Sequence, residues 1–189
     1  MGQGFGTEAK GGGQQQVRLL PKPKNMENKL KNALKWITGI LEELNIPYQI
    51  SGGFAAHIYG AARPVNDIDI DVPEDRMEEI VPRVKDFIIQ ELGHFQDKKW
   101  DAKLMVLDYH GQIIDLDGAE NMKIYDEVNN IWVPCPANLK SSRILKVFGL
   151  DIPVVNPRDL ADYKKLLIAE GHEHHVGDVE AVEKYLSIN

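Results

Sequence analysis

The sequence predicts an α+β protein built around a mixed β-sheet. Three observations lead there. Helical periodicity occupies both ends of the chain and short stretches between them. Several strand-like segments cluster in the middle. Helices and strands do not alternate regularly, which excludes a doubly wound dinucleotide fold or a barrel. The sharpest strand signal is "NDIDIDV" at 66–72, with three aspartates at alternate positions among β-branched residues.

The elements follow in order. "NMENKLKNALKWITGILEELN" carries Leu30, Leu34, Ile37, Ile40, Leu41 and Leu44 at helical spacing, with Asn25 as its expected cap. "IPYQIS" is a short strand running into Gly52-Gly53, and "FAAHIYG" a short helix stopped by Gly60. "DIDIDV" is a strand closed by Pro73. "EDRMEEIVPRVKDFIIQEL" reads as a helix kinked at Pro82. "KLMVLDYHGQIIDLD" forms two strands around a turn at Tyr109 to Gly111. Further pairs are expected in "MKIYDEV" with "IWVP", and in "RILKVFGLDIPVV" around Gly149. After Asn156-Pro157 two helices follow, "RDLADYKKLLIAEG" and "VGDVEAVEKYL".

Length and composition set the bounds. The 189 residues suit one domain with a sizeable core. The opening "MGQGFGTEAKGGGQQQVRLLPKPK" is rich in Gly and Gln and lacks an apolar segment. Residues 1–24 are therefore expected to be a flexible leader, and 25–189 a single domain with a core at about 27–155 and C-terminal helices at 157–188. A net charge of −7 excludes a wholly basic nucleic-acid coat. Cys135 is the one cysteine, so no internal disulfide forms. With no stretch long and apolar enough to span a bilayer, a cytoplasmic setting is expected.

The aspartates need a reason. Residues two apart on a strand share a face, so Asp67 and Asp69 project together while Ile68 and Ile70 pack behind them. A hard dication such as Mg²⁺ turns their repulsion into a binding site. A third carboxylate on a neighbouring strand lets such a cluster hold two ions about 3.5–4 Å apart. "GQIIDLDG" offers Asp115 and Asp117 for that place, and Asp71 could shift the ligand register. Upstream, a strand delivers Ser51-Gly52-Gly53 to a helix start. Glycines there allow close backbone approach, and helix-start N–H groups favour phosphate oxygens.

These features together resemble the DNA polymerase β-like nucleotidyltransferase superfamily, in its small antibiotic- or toxin-type branch. The resemblance covers roughly residues 27–188 and rests on Gly52-Gly53, a short helix, Arg63, Asp67-x-Asp69, the hydrophobic-Asp-hydrophobic triplet at Asp115, and a proline-started helix carrying Lys164. It implies a nucleotidyltransferase-type mixed sheet with flanking helices. It also implies Asp67, Asp69 and Asp115 as catalytic ligands of two Mg²⁺ ions, with Mn²⁺ as an alternative. Ser51, Gly52, Gly53 and Lys164 would bind the nucleotide. Arg63 would either neutralise phosphate or brace an aspartate. The implied reaction transfers a nucleoside monophosphate from an NTP, with ATP-binding expected, to a hydroxyl on a small molecule, releasing pyrophosphate. The rivals are a toxin-type enzyme that modifies tRNA or protein and a catalytically silent nucleotide-binding scaffold. An acidic acceptor cleft would favour a small cationic acceptor, a basic rim tRNA. CCA addition is not expected, because Phe54-Ala55-Ala56 replaces the arginine-aspartate pair that follows the glycines there.

Other conspicuous residues read as structural. "GHEHHVGD" gathers His172, Glu173, His174, His175 and Asp178 in a spacing that matches no standard zinc module. Asp178 is expected to stabilise the dipole of the last helix. Lys98, Lys99 and Lys103 around Trp100 read as a solvated strand edge.

Overall fold

The computed structural model of the chain describes residues 24–169 and 175–188. The expected leader at 1–24 lies outside them except for Lys24, as do His172, Glu173 and His174. The element order is α1 (Lys24–Glu43), β1 (Gln49–Ile50), α2 (Gly52–Ile58), β2 (Asp67–Val72), α3 (Met77–Val84), β3 (Ile88–Gln96), β4 (Trp100–Tyr109), β5 (Gln112–Gly118), β6 (Lys123–Asp126), β7 (Ile131–Pro134), β8 (Arg143–Val147), β9 (Leu150–Val154), α4 (Pro157–Ala169) and α5 (Val176–Ile188).

Two expectations are corrected. Asn25 is not the cap of α1, which begins at Lys24. The predicted helix over 74–92 ends early. One 3₁₀ turn leads into α3, a second follows at Lys85–Phe87, and Ile88–Gln96 is the strand β3. Phe87, Ile88 and Leu92 pack against the core at spacings that also suit a helix. Sheet pairing with β4 decides between the two readings.

The sheet runs β7-β6-β4-β5-β2-β1-β9-β8, with β3 also on β4. Its centre is the parallel pair β2–β5, flanked by antiparallel neighbours. The register sets Asp69 beside Asp115 and Asp71 beside Asp117. Ile68, Ile70, Ile114 and Leu116 therefore share the opposite face, and all four are fully buried. They join one core with Leu34, Ile37 and Leu41 of α1 and Phe54 and Ile58 of α2. Each such side chain contributes roughly 1.5–3 kcal/mol by leaving water. That burial holds five aspartates on the other face in fixed register.

Helices α4 and α5 pack together, and α2 contacts both of them and β2. The Tyr59 hydroxyl donates to the Val155 carbonyl at 2.7 Å, tying the end of α2 to the segment after β9. Lys164 on α4 is thereby brought to the aspartate side of the sheet, 95 residues beyond Asp69 in the chain.

Ile70→Ala removes a fully buried side chain from the central strand and is expected to cost about 2–5 kcal/mol. Urea unfolding should show a lower midpoint at an unchanged slope.

Candidate active site

Asp67, Asp69 and Asp115 converge. One oxygen from each lies within 4.8 Å of the others, and this is the cluster of metal-ligating type found among the described residues. Adjacent positions on parallel β2 and β5 bring them together. The donors are all hard carboxylate oxygens, the ligand type that Mg²⁺ and Mn²⁺ select, and the half-buried setting leaves an approach for an ion. The residues present fit such an ion.

Their electrostatics show the cost of assembling them without one. Burial pushes the Asp69 carboxyl above its ordinary range. Asp67 adds to the rise, and the Gly53 N–H works against it. Burial, then Asp69 and Asp67, raise Asp115 to about 7. Asp117 is pushed well up by burial and by all four neighbouring aspartates. Asp71 is buried and raised to about 6, although it accepts bonds from Gln49 Nε2 at 2.8 Å and Ser51 Oγ at 3.0 Å. Those bonds occupy Asp71, while Asp115 is drawn into the cluster with Asp67 and Asp69.

The glycine pair serves the aspartates directly. Gly53 N–H donates to Asp69 Oδ2 at 3.0 Å. Gly52 has φ +57°, and a Cβ there would lie 1.7 Å from Asp69 Oδ2. A Cβ on Gly53 would instead lie 2.2 Å from Arg63 Nη2. The backbone cradle expected for phosphates thus already holds Asp69, and Ser51 holds Asp71.

The two expected cations lie on the Gly53 side. Arg63 Nε binds both Asp178 oxygens at 2.9 and 3.0 Å. Lys164, 2% exposed, places Nζ 3.0 Å from Asp178 Oδ2, and burial depresses its pKa. Arg63 therefore braces an aspartate, but Asp178 and not a member of the cluster. Asp178 is buried, and a role confined to the helix dipole does not describe it. Lys99 reaches the Tyr125 carbonyl, and Lys103 that of Glu74.

On the other side of the glycines a cavity of about 310 Å³ opens beside the cluster. Asp69, Asp71, Asp117 and Asp159 supply its acidic wall, and Met122, Val155, Leu160 and Tyr163 an apolar one. No Lys or Arg lines it among the described residues. Gln49, fully buried, also lines it and leaves Oε1 without a hydrogen-bond partner among the described residues. Nothing in the local sequence "IPYQIS" marks it, because its burial follows from the place of β1 between β2 and β9.

The family profile of the aminoglycoside-2''-adenylyltransferases matches residues 33–178. The chain belongs to that family. No curated protein sequence matches it. Among solved structures it is similar to a protein from Thermotoga maritima described as a nucleotidyltransferase, with 21% identity, TM-score 0.58, and coverage of 84% of this chain and 95% of that one. It is similar to the antibiotic-resistance factor ANT(2'')-Ia, with 15% identity, TM-score 0.60, and coverage of 85% of each chain. It is also similar to the lincosamide antibiotic adenylyltransferase LnuA in its lincomycin-bound form, with 14% identity, TM-score 0.52, and coverage of 82% and 97%. These likenesses show a nucleotidyltransferase fold. No helix among the described residues is long and apolar enough to cross a membrane.

Two outcomes follow. Asp71 and Asp115 hold protons more tightly when folded than when unfolded, with values of about 6 and 7 against an ordinary 3.8. Their contribution is present below about pH 4 and lost as pH rises through 6 and 7. The metal-free melting temperature should fall between pH 5 and 8. Asp115→Asn should flatten that slope, and Mg²⁺ should raise the melting temperature at pH 8 far more than at pH 5. Separately, Gly52→Ala should destabilise by at least about 1–2 kcal/mol from its left-handed backbone alone. Gly53→Ala should cost less, because the flexible Arg63 end can yield. Denaturant titration of the two variants ranks them.

Proposed function

We propose that this chain, as a member of the adenylyltransferase family just described, transfers a nucleoside monophosphate from an NTP to a hydroxyl of a small-molecule acceptor. Pyrophosphate is released. The observation that carries the reading is the carboxylate cluster standing between a cationic side and an acidic cavity.

In this reading Asp67, Asp69 and Asp115 hold two Mg²⁺ or Mn²⁺ ions. Bound there, the ions would neutralise the triphosphate and favour in-line attack at the α-phosphorus. The rest of the work is positioning by the chain's own groups. The triphosphate lies over Ser51, Gly52 and Gly53, with its terminal phosphates towards Arg63 and Lys164. Gly52 keeps the Asp69 carboxylate close to the backbone, since any side chain would displace it. The Gly53 N–H orients Asp69, and Ser51 with Gln49 orients Asp71. The acceptor oxygen bonds to the α-phosphorus as the bond from that phosphorus to the bridging oxygen of the leaving pyrophosphate breaks, and the hydroxyl proton passes to solvent.

The acceptor is assigned to the cavity. The Asp71 and Asp159 carboxylates of its wall repel a polyanion such as tRNA and attract a molecule bearing protonated amines, while Asp117, its carboxyl pushed well up by burial, adds a hydrogen-bonding group. Tyr163, Leu160 and Met122 offer an apolar surface for its uncharged faces.

Incubation with labelled ATP, CTP, GTP or UTP, Mg²⁺, and panels of tRNA and amine-bearing small molecules tests this. Label should appear in the small-molecule fraction together with pyrophosphate. Label confined to tRNA would contradict the assigned acceptor class. Asp69→Asn should reduce turnover by at least about a hundredfold, since a ligand's loss exceeds that of an outer partner. Its circular dichroism should match wild type.

A further inference from the structure

Arg63 comes from the connection between α2 and β2, Lys164 from α4 and Asp178 from the first turn of α5. The three meet in a buried ion cluster. The Asp178 carboxylate, 1% exposed, takes Arg63 Nε on both oxygens and Lys164 Nζ at 3.0 Å. His175 Nδ1 stands 3.4 Å from Lys164 Nζ and 3.7 Å from Asp178 Oδ2. A carboxylate serving only the helix dipole needs no such partners.

We infer that Asp178 is a positioning residue for triphosphate binding, fixing Arg63 and Lys164 as a preformed two-cation face beside Gly53 and Asp69. The inference rests on the reading above that a nucleoside triphosphate binds at this site.

Donor accounting supports it. Arginine carries five N–H donors, and Asp178 engages only the one on Nε. Nη2 and Nη1 lie against Gly53, 2.2 and 3.2 Å from where its Cβ would stand, and make no hydrogen bond to the described residues. Four donors in a planar fork are thus held at the cradle, the geometry that suits phosphate oxygens. Lysine has three donors. Asp178 and His175 face two of them, and Asp69 acts on the same ammonium across the site.

Charge points the same way. Two cations and one carboxylate leave a net single positive charge facing the aspartate cluster. Without Asp178 the two cations would repel each other, and Lys164 would be buried with no carboxylate partner. A carboxylate that merely competed with phosphate would occupy the Nη edge of Arg63. Asp178 takes the Nε edge and leaves the fork exposed to the site.

Calorimetric titration with α,β-methylene-ATP and with AMP, at saturating Mg²⁺, tests the inference on wild type, Asp178→Asn, Asp178→Glu and Arg63→Lys. Wild type should bind the triphosphate more tightly than AMP. Asp178→Asn should lose roughly tenfold or more in triphosphate affinity, the scale of a charge-assisted contact, and change little towards AMP. Asp178→Glu should recover part of the loss. Arg63→Lys keeps the charge but lacks the fork, so it should lose triphosphate affinity as well, and it decides the matter if Asp178→Asn does not fold. Equal or tighter triphosphate binding by Asp178→Asn or by Arg63→Lys, or equal losses for both nucleotides, overturns the positioning role alone. Failure of wild type to bind the triphosphate overturns the nucleotide reading and this inference with it.

Discussion

Five carboxylates forced onto one sheet face are the constraint on which the rest of this molecule depends. The parallel register of β2 on β5 places Asp69 beside Asp115 and Asp71 beside Asp117. The fully buried isoleucines and leucine between them prevent any slip, because a shift of one residue would exchange the two faces. The hydrophobic core thus enforces an electrostatic strain that the carboxylates would otherwise relieve by moving apart. Burial raises the pKa values of Asp69, Asp71, Asp115 and Asp117, and the neighbouring carboxylates raise them further.

The surroundings divide the relief unevenly. Asp71 is satisfied locally by Gln49 and Ser51. Asp69 receives the Gly53 N–H, which requires the left-handed backbone at Gly52. Asp115 receives no comparable bond among the described residues and lies within 4.8 Å of Asp67 and Asp69 in the cluster. Beyond the glycines, Arg63 and Lys164 are held by Asp178 on one side, while the cavity on the other side carries only acidic and uncharged residues. The proposed transfer from a nucleoside triphosphate to an amine-bearing acceptor would use such a division. Each partner would then meet a complementary wall on either side of the carboxylate cluster.

Much of this was legible in the sequence, and the reasons differ by residue. The alternation in "DIDI" and "IIDL" shows which side chains share a face, and the turn at Tyr109 to Gly111 shows that β4 and β5 pair. Convergence of Asp67, Asp69 and Asp115 then needs only that β5 lie beside β2. The family resemblance supplied that step. The strand β3 was read as helix because its apolar residues satisfy both periods, and pairing with β4 is a non-local fact. Asp178 was read from its place in a helix turn. Its partners stand 115 and 14 positions away in the chain, and nothing in local pattern joins them. The cavity was not visible at all. It is assembled from β1, β2, β5, the segments around Met122 and Cys135, and α4.

In the proposed mechanism a divalent cation resolves the enforced repulsion. Electron paramagnetic resonance of Mn²⁺ titrated into the protein at pH 8 tests it most directly, because bound and aquo ions give separable signals. The account predicts saturable Mn²⁺ binding that Mg²⁺ displaces and that Asp69→Asn and Asp115→Asn each weaken by at least about tenfold. Absence of bound Mn²⁺, or binding that both variants leave unchanged, would contradict it.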